Sequence, residues 1–176
     1  QNDRTKSGDN YLVQHNALNV RQSGSPLSLL TLQLQQDLRL GILNWQNVLT
    51  LQKSSKDDIL PVPLFNAYSN LFIRFRIARV LDVDLGVDGR YFTDYYAPEY
   101  IPGIGAFGIQ ETEASRTKIG NYPVLDAYAN FQLQHTRFFV MFSHVNSSDG
   151  GDYFFTPHYP LNQRIFRFGI SWNFFN

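Results

Sequence analysis

Several groups of residues in this sequence could do chemistry. Gly103-x-Gly105-x-x-Gly108 spells a dinucleotide fingerprint, but that chemistry needs a strand before it and a helix N-terminus after it to receive the pyrophosphate. Here it follows Pro98 and Pro102 and reads as a flexible loop. The histidines His15, His135, His144 and His158 share no short ligand spacing, so no metal site is expected. Asp149-Gly150-Gly151-Asp152 could hold calcium weakly and reads more readily as a turn. Asn146-Ser147-Ser148 is a sequon only in a glycosylating secretory pathway, which nothing here supposes. No Ser-His-Asp order or carboxylate pair comes with a cleft to house it, so neither an enzyme nor a cofactor is expected.

The remaining group is an ionic stripe: Arg74, Arg76, Asp84, Asp88 and Arg90, joined by Asp126 and Arg167. A turn pairing Ala78 with Asp82 would set Arg76 opposite Asp84 and Phe72 opposite Asp88, all on one side. These charges either satisfy one another inside a filled barrel or form a lumen wall whose opposed signs tune solute selectivity.

The elements that must carry this stripe are strands, because a period of two dominates. In Asp82–Asp94, Val83, Leu85, Val87 and Tyr91 alternate with Asp82, Asp84, Asp88, Arg90 and Asp94. Leu71, Ile73, Phe75 and Ile77 alternate with Asn70, Arg74 and Arg76, and Arg79, Val80 and Leu81 form the turn between these two strands. Leu30 to Leu40 keeps its apolar set on even numbers, and Leu43, Trp45, Leu49 and Leu51 keep theirs on odd ones. A two-residue turn at Gly41-Ile42 requires that parity switch and sets Leu38 opposite Trp45 and Leu34 opposite Leu49. Leu125 to Leu133 alternates cleanly, His135-Thr136 turns it into Phe138–Val145, and Phe166, Phe168, Ile170, Trp172 and Phe174 close the chain. Residues 11–20 are a weaker strand, interrupted by His15, Asn16 and Asn19. The expectation is about eight antiparallel strands in one domain, residues 1–176.

Connection lengths sort by rim. Those at Gly41-Ile42, Arg79 to Leu81 and His135-Thr136 are brief, whereas Lys53 to Pro63, 97–123 and 146–163 are long, which is the layout of an outer-membrane barrel with periplasmic turns and external loops. Alternation alone leaves a soluble lipocalin-like ligand-binding barrel open, since the two are inside-out versions of each other. Aromatic rings at strand ends (Tyr91, Phe92, Tyr95, Tyr96, Tyr100; Trp172, Phe174, Phe175) and a polar stripe of Gln, Asn, Tyr, Arg and Asp favour the membrane. Composition excludes other classes. With 15 basic against 15 acidic residues there is no electrostatic footprint for nucleic acid, and with no cysteine there is no disulfide scaffold. No apolar run of about 18 residues could form a membrane helix. The polar start, Gln1–Asn10, lacks a signal-peptide layout, so the chain is read as processed or as a piece of something longer.

Gly120-Asn121-Tyr122-Pro123 with Asp126-Ala127-Tyr128, then Arg137-Phe138-Phe139-Val140, Ser143-His144-Val145-Asn146, Pro157-His158-Tyr159-Pro160 and Phe166 to Phe175 resemble the closing strands of the Bacteroidota-type putative porin family. Asn44-Trp45-Gln46-Asn47, Tyr68-Ser69-Asn70-Leu71, Phe75 to Leu81 and Arg90 to Pro98 resemble it in the same order, so the likeness covers most of residues 40–176. It implies an antiparallel transmembrane β-barrel in the cell outer membrane and a porin role for small solutes, in a family whose members are usually several times longer. Its implied partners are outer-membrane lipid, the barrel assembly machinery and further barrel strands. Arg167, Gly169, Trp172 and Phe174 also resemble the assembly signal of such barrels, with Phe175 and Asn176 following it. A closed ring of only eight strands is filled by its own side chains and would serve as a structural or interaction barrel instead.

Overall fold

A computed structural model of the chain describes residues 11–13, 20–22, 24, 26–110, 116–148 and 153–173. Phe174 and the Asp149–Asp152 turn lie outside them. Among the described residues there are strands and no helix: β1 (Tyr11–Val13), β2 (Val20–Gln22), β3 (Leu29–Leu40), β4 (Leu43–Ser54), β5 (Phe65–Ile77), β6 (Leu81–Phe92), β7 (Glu99–Ile101), β8 (Ala106–Gly108), β9 (Val124–Leu133), β10 (Thr136–Ser143), β11 (Phe154–Thr156), β12 (Tyr159–Pro160) and β13 (Ile165–Trp172).

Seven of them form one antiparallel sheet in the order β13-β10-β9-β6-β5-β4-β3. Each strand lies beside its successor in that sheet, the up-and-down order of a barrel wall. The sheet is open, with β3 and β13 as its edges. The count is therefore seven rather than about eight. The weak first strand over 11–20 is instead β1, paired with β2 in a separate two-stranded sheet (Tyr11 opposite Gln22, Val13 opposite Val20). Its broken alternation offers no continuous apolar face to extend the wall.

The strand registers follow from their turns. Leu38 faces Trp45 and Leu34 faces Leu49 as the parity switch requires, and Gly41 takes the left-handed φ of 60°. The β5–β6 turn differs from expectation by two residues. Ala78 and Arg79 both adopt left-handed backbone (φ 48° and 62°), the Val80 N–H donates to the Ile77 carbonyl at 3.1 Å, and Ile77 faces Leu81. Consequently Arg76 faces Asp82, Arg74 faces Asp84 and Phe72 faces Gly86. A shift of two preserves the face, so the stripe stays together while its pairs change. The β9–β10 turn falls at Gln134-His135, one residue early, with Gln134 at φ 49° and Leu133 opposite Thr136.

Carried across all seven strands, these registers align whole rows. One reads Leu38, Trp45, Leu71, Val87, Ala127, Phe142, Phe166; its neighbour on the other face reads Arg39, Asn44, Phe72, Gly86, Tyr128, Met141, Arg167. The apolar face is bare: Leu40 is 75% exposed and Phe168 74%, whereas Asp88 on the polar face is 7% exposed. Among the described residues no second layer covers the apolar rows, although Val83 is buried among its neighbours, and the short turns all fall on one rim while the described parts of segments 93–123 and 144–164 lie at the other.

Those long segments are folded rather than loose. β7 and β8 form a hairpin, Tyr100 opposite Phe107, and this hairpin contains the Gly103/Gly105/Gly108 pattern. Gly105 (φ 64°) serves its turn, and among the described residues no helix follows. Ala97, Ile101 and Ile119 in this segment are buried. The buried Gln110 staples the segment: its Nε2 donates to the Ala97 carbonyl at 2.7 Å and the Thr117 carbonyl at 3.0 Å, and its Oε1 accepts from Thr117 N–H at 2.7 Å.

Candidate functional site

The polar face of the sheet gathers the ionic stripe. At the end nearest the short turns it carries two forked ion pairs, one above the other. Arg76 Nε and Nη2 donate to Asp82 Oδ1 and Oδ2 at 2.5 and 3.0 Å. Arg74 donates to Asp84 at 2.7 and 2.8 Å. Arg is suited to this because its planar fork matches a carboxylate edge. The Arg74 guanidinium also lies 5.3 Å from the Phe72 ring centre. With Asn130, Gln132 and Arg137 these four residues line a recess of about 460 Å³. Arg74 and Arg76 already have carboxylate partners, whereas Arg137 Nη2 donates to Gln132 Oε1 at 3.5 Å.

Mid-wall, Gly86 lets the face close on itself. A Cβ there would lie 2.7 Å from Phe72 Cβ and 2.7 Å from the Tyr128 ring, so only glycine leaves room for Tyr128 on β9 to cross β6. Its hydroxyl donates to Asn70 Oδ1 on β5 at 2.9 Å. Neither Tyr128 nor Asn70 was singled out by sequence, although a glycine inside an alternating strand signals a close approach of this kind.

In the next row Asp88 stands opposite Asn70 on one side and Asp126 on the other. Asp88 Oδ1 is buried without a hydrogen-bond partner, while Asp126 Oδ1 accepts from the His144 N–H at 2.7 Å. His144 itself is buried, its Nδ1 2.8 Å from the Asn162 carbonyl and its Nε2 3.0 Å from the Tyr122 hydroxyl. It anchors the rim.

Toward the long segments the chemistry changes. Arg90 faces Tyr68 and Val124, its guanidinium 6.0 Å from the Tyr68 ring centre. Among the described residues it has no ion pair. Phe155 of β11 reaches back to the Phe92 ring at 5.8 Å, and Tyr95 meets the same ring edge-on at 6.0 Å. The two long segments also touch each other through Tyr100 and Tyr159, 5.9 Å apart. At the rim, burial raises the Tyr95 hydroxyl above its ordinary value. The Lys118 ammonium, 2.9 Å away, holds the Asp94 carboxyl below its own. Asn146 of the sequon is tied down, its Oδ1 accepting from Leu125 N–H at 3.0 Å and its Nδ2 donating to the Pro123 carbonyl at 2.6 Å.

Of the four residues resembling an assembly signal, the three described ones divide between faces. Arg167 faces Met141 on the polar side, and Gly169 faces Phe139, whose ring lies where a Cβ would be (2.5 Å). Trp172 lies on the apolar side, opposite Thr136.

A family model described as a putative porin matches residues 4–176. Neither curated proteins nor solved structures yielded a match.

Proposed function

We propose, from the premise that this chain belongs to the putative porin family, that it is a porin-like outer-membrane protein whose polar sheet face lines a route for passive diffusion of small solutes. One observation carries this reading: exposed apolar rows, among them Leu38, Trp45, Leu71, Val87, Ala127, Phe142 and Phe166, cross all seven strands on one face, interrupted by the polar row Gln36, Asn47, Ser69 and Gly89, while the Arg and Asp stripe occupies the other. Water would strip the first face of any reason to exist, whereas acyl chains accept it. Arg74, Arg76, Asp84, Asp88, Arg90, Asp126 and Arg167 then line the lumen. Short turns and the C-terminal end face the periplasm, and segments 93–123 and 144–164 lie outside the cell.

The open edges bear on partners. In lipid the free N–H and C=O groups of β3 and β13 must be paired, so further barrel strands complete the wall, and Arg167, Gly169, Trp172 and Phe174 offer β13 to the assembly machinery. The test is reconstitution of the purified chain into liposomes and planar bilayers. Expected are extraction only with detergent, stepwise conductance and solute-driven liposome swelling. A chain that stays soluble without detergent and leaves vesicles sealed would overturn the proposal in favour of a soluble ligand-binding barrel.

A further inference from the structure

The geometry points to a binding site for small organic anions that carry a flat ring, of the aromatic-carboxylate class, in the recess at the long-segment end of the polar face. The recess measures about 570 Å³ and is bounded by Asn66, Tyr68, Arg90, Phe92, Tyr95 and Phe155 among others. That volume suits a small ligand, and the lining has the usual make-up of such a site: mostly apolar and aromatic, with few polar groups.

The cation decides the ligand's charge. Arg90 is the one ionic residue lining the recess, and among the described residues no carboxylate pairs with it. Arg74 and Arg76, built into the same wall, have both forks occupied. Arg90 thus keeps donors in a fork that matches a carboxylate edge, and its place over the Tyr68 ring restrains it without neutralising it.

The rings decide the ligand's body. Phe92 from β6, Tyr95 from the segment after it and Phe155 from β11 converge with centres 5.8 to 6.0 Å apart at Phe92. Tilted and edge-on contacts of this kind leave ring surface for a flat guest. Asp88 and Asp126 stand in the next row of the wall, outside the lining. Their charge disfavours polyanions and leaves a monoanion as the best match.

This inference rests on the polar face being open to water and names the solute class for that face. The test is calorimetric titration of the detergent-solubilised full chain with benzoate, benzyl alcohol, acetate and benzylammonium. Benzoate is expected to bind about tenfold tighter than each of the others, because only it meets both the fork and the rings. Arg90→Gln should remove about that factor for benzoate and leave benzyl alcohol unchanged. Arg90→Lys, which keeps the charge and loses the fork, should fall between. Phe155→Ala should weaken both ring compounds. Equal binding of acetate and benzoate, preference for benzylammonium, or benzoate affinity untouched by Arg90→Gln would each overturn the site. Liposome flux on the same preparations separates the two proposals. Conductance without benzoate binding sinks the site alone, and benzoate binding without conductance sinks the pore alone.

Discussion

The two faces of the sheet are built from alternate residues of the same strands, yet they meet water in opposite ways. On the apolar face a row such as Leu38, Trp45, Leu71, Val87, Ala127, Phe142, Phe166 crosses every strand and most of its large side chains stay bare. On the polar face the side chains close on one another: forks between Arg and Asp, Tyr128 reaching over Gly86 to Asn70, Asp88 buried. A soluble sheet buries its grease and leaves its ions out. The inversion means that the surrounding lipid, rather than a second layer of protein, has to supply the apolar burial that stabilises this wall.

The largest test of that contrast places a charge on each face of one strand. Phe168→Arg puts a guanidinium into the bare apolar surface of β13 and is expected to cost about 2–4 kcal/mol in vesicle unfolding experiments. Ser171→Arg, on the same strand and the opposite face, should stay within about 0.5 kcal/mol. A larger loss for Ser171→Arg than for Phe168→Arg would show the faces to be exchanged.

A smaller effect sharpens the picture of the polar face as packed. Gly86→Val drives two methyl groups toward Phe72 Cβ, which cannot swing away, and into the Tyr128 ring. It should cost about 1–3 kcal/mol by denaturant unfolding and lower the barrel's heat-modifiable gel shift. A silent substitution would mean that Tyr128 does not cross β6. Smaller again is Asp88→Asn, which relieves the like charge of Asp126 directly opposite and gives the buried, unpartnered oxygen position a neutral group. It should be neutral or stabilise by less than about 1 kcal/mol. A clear destabilisation would mean that the Asp88 charge has a partner on the wall.

Much of this contrast was legible in the sequence, and the reasons for what was not are local. The face of every stripe residue follows from parity, which a turn misplaced by two residues cannot disturb. That is why Arg76 was assigned the right side and the wrong partner. The β5–β6 register depends on Ala78 and Arg79 entering left-handed backbone, and neither residue type advertises it. The first strand failed because residues 11–20 have no period to extend. Phe155 meeting Phe92 joins residues 63 positions apart, and no spacing rule reaches that far. Gly86 and Gly169 were visible as glycines inside alternating strands. What they admit, the Tyr128 and Phe139 rings, needed the register.

A last expected effect, confined to alkaline pH, lies at the rim, where both faces end and the long segments begin. Tyr122 stacks on Tyr153 with ring centres 3.7 Å apart and its hydroxyl donates to the Asn146 carbonyl at 3.0 Å. Burial, and then the neighbouring Tyr153 hydroxyl, push its pKa from the ordinary 10.0 up to about 12. The folded chain therefore holds this proton more firmly than the unfolded chain does. Stability is unaffected below pH 10 and falls as the pH climbs from about 10 toward about 12, because unfolding then releases the proton. Tyrosinate absorbance should show a late ionisation near pH 12 that Tyr122→Phe removes, and the variant should lose less stability than the parent over the same alkaline range. Ionisation of Tyr122 together with the exposed tyrosines would mean that the segments capping this rim are open to water. The sheet's polar face would then run uncovered to its outer end, and the difference between the two faces would lie in their side chains alone.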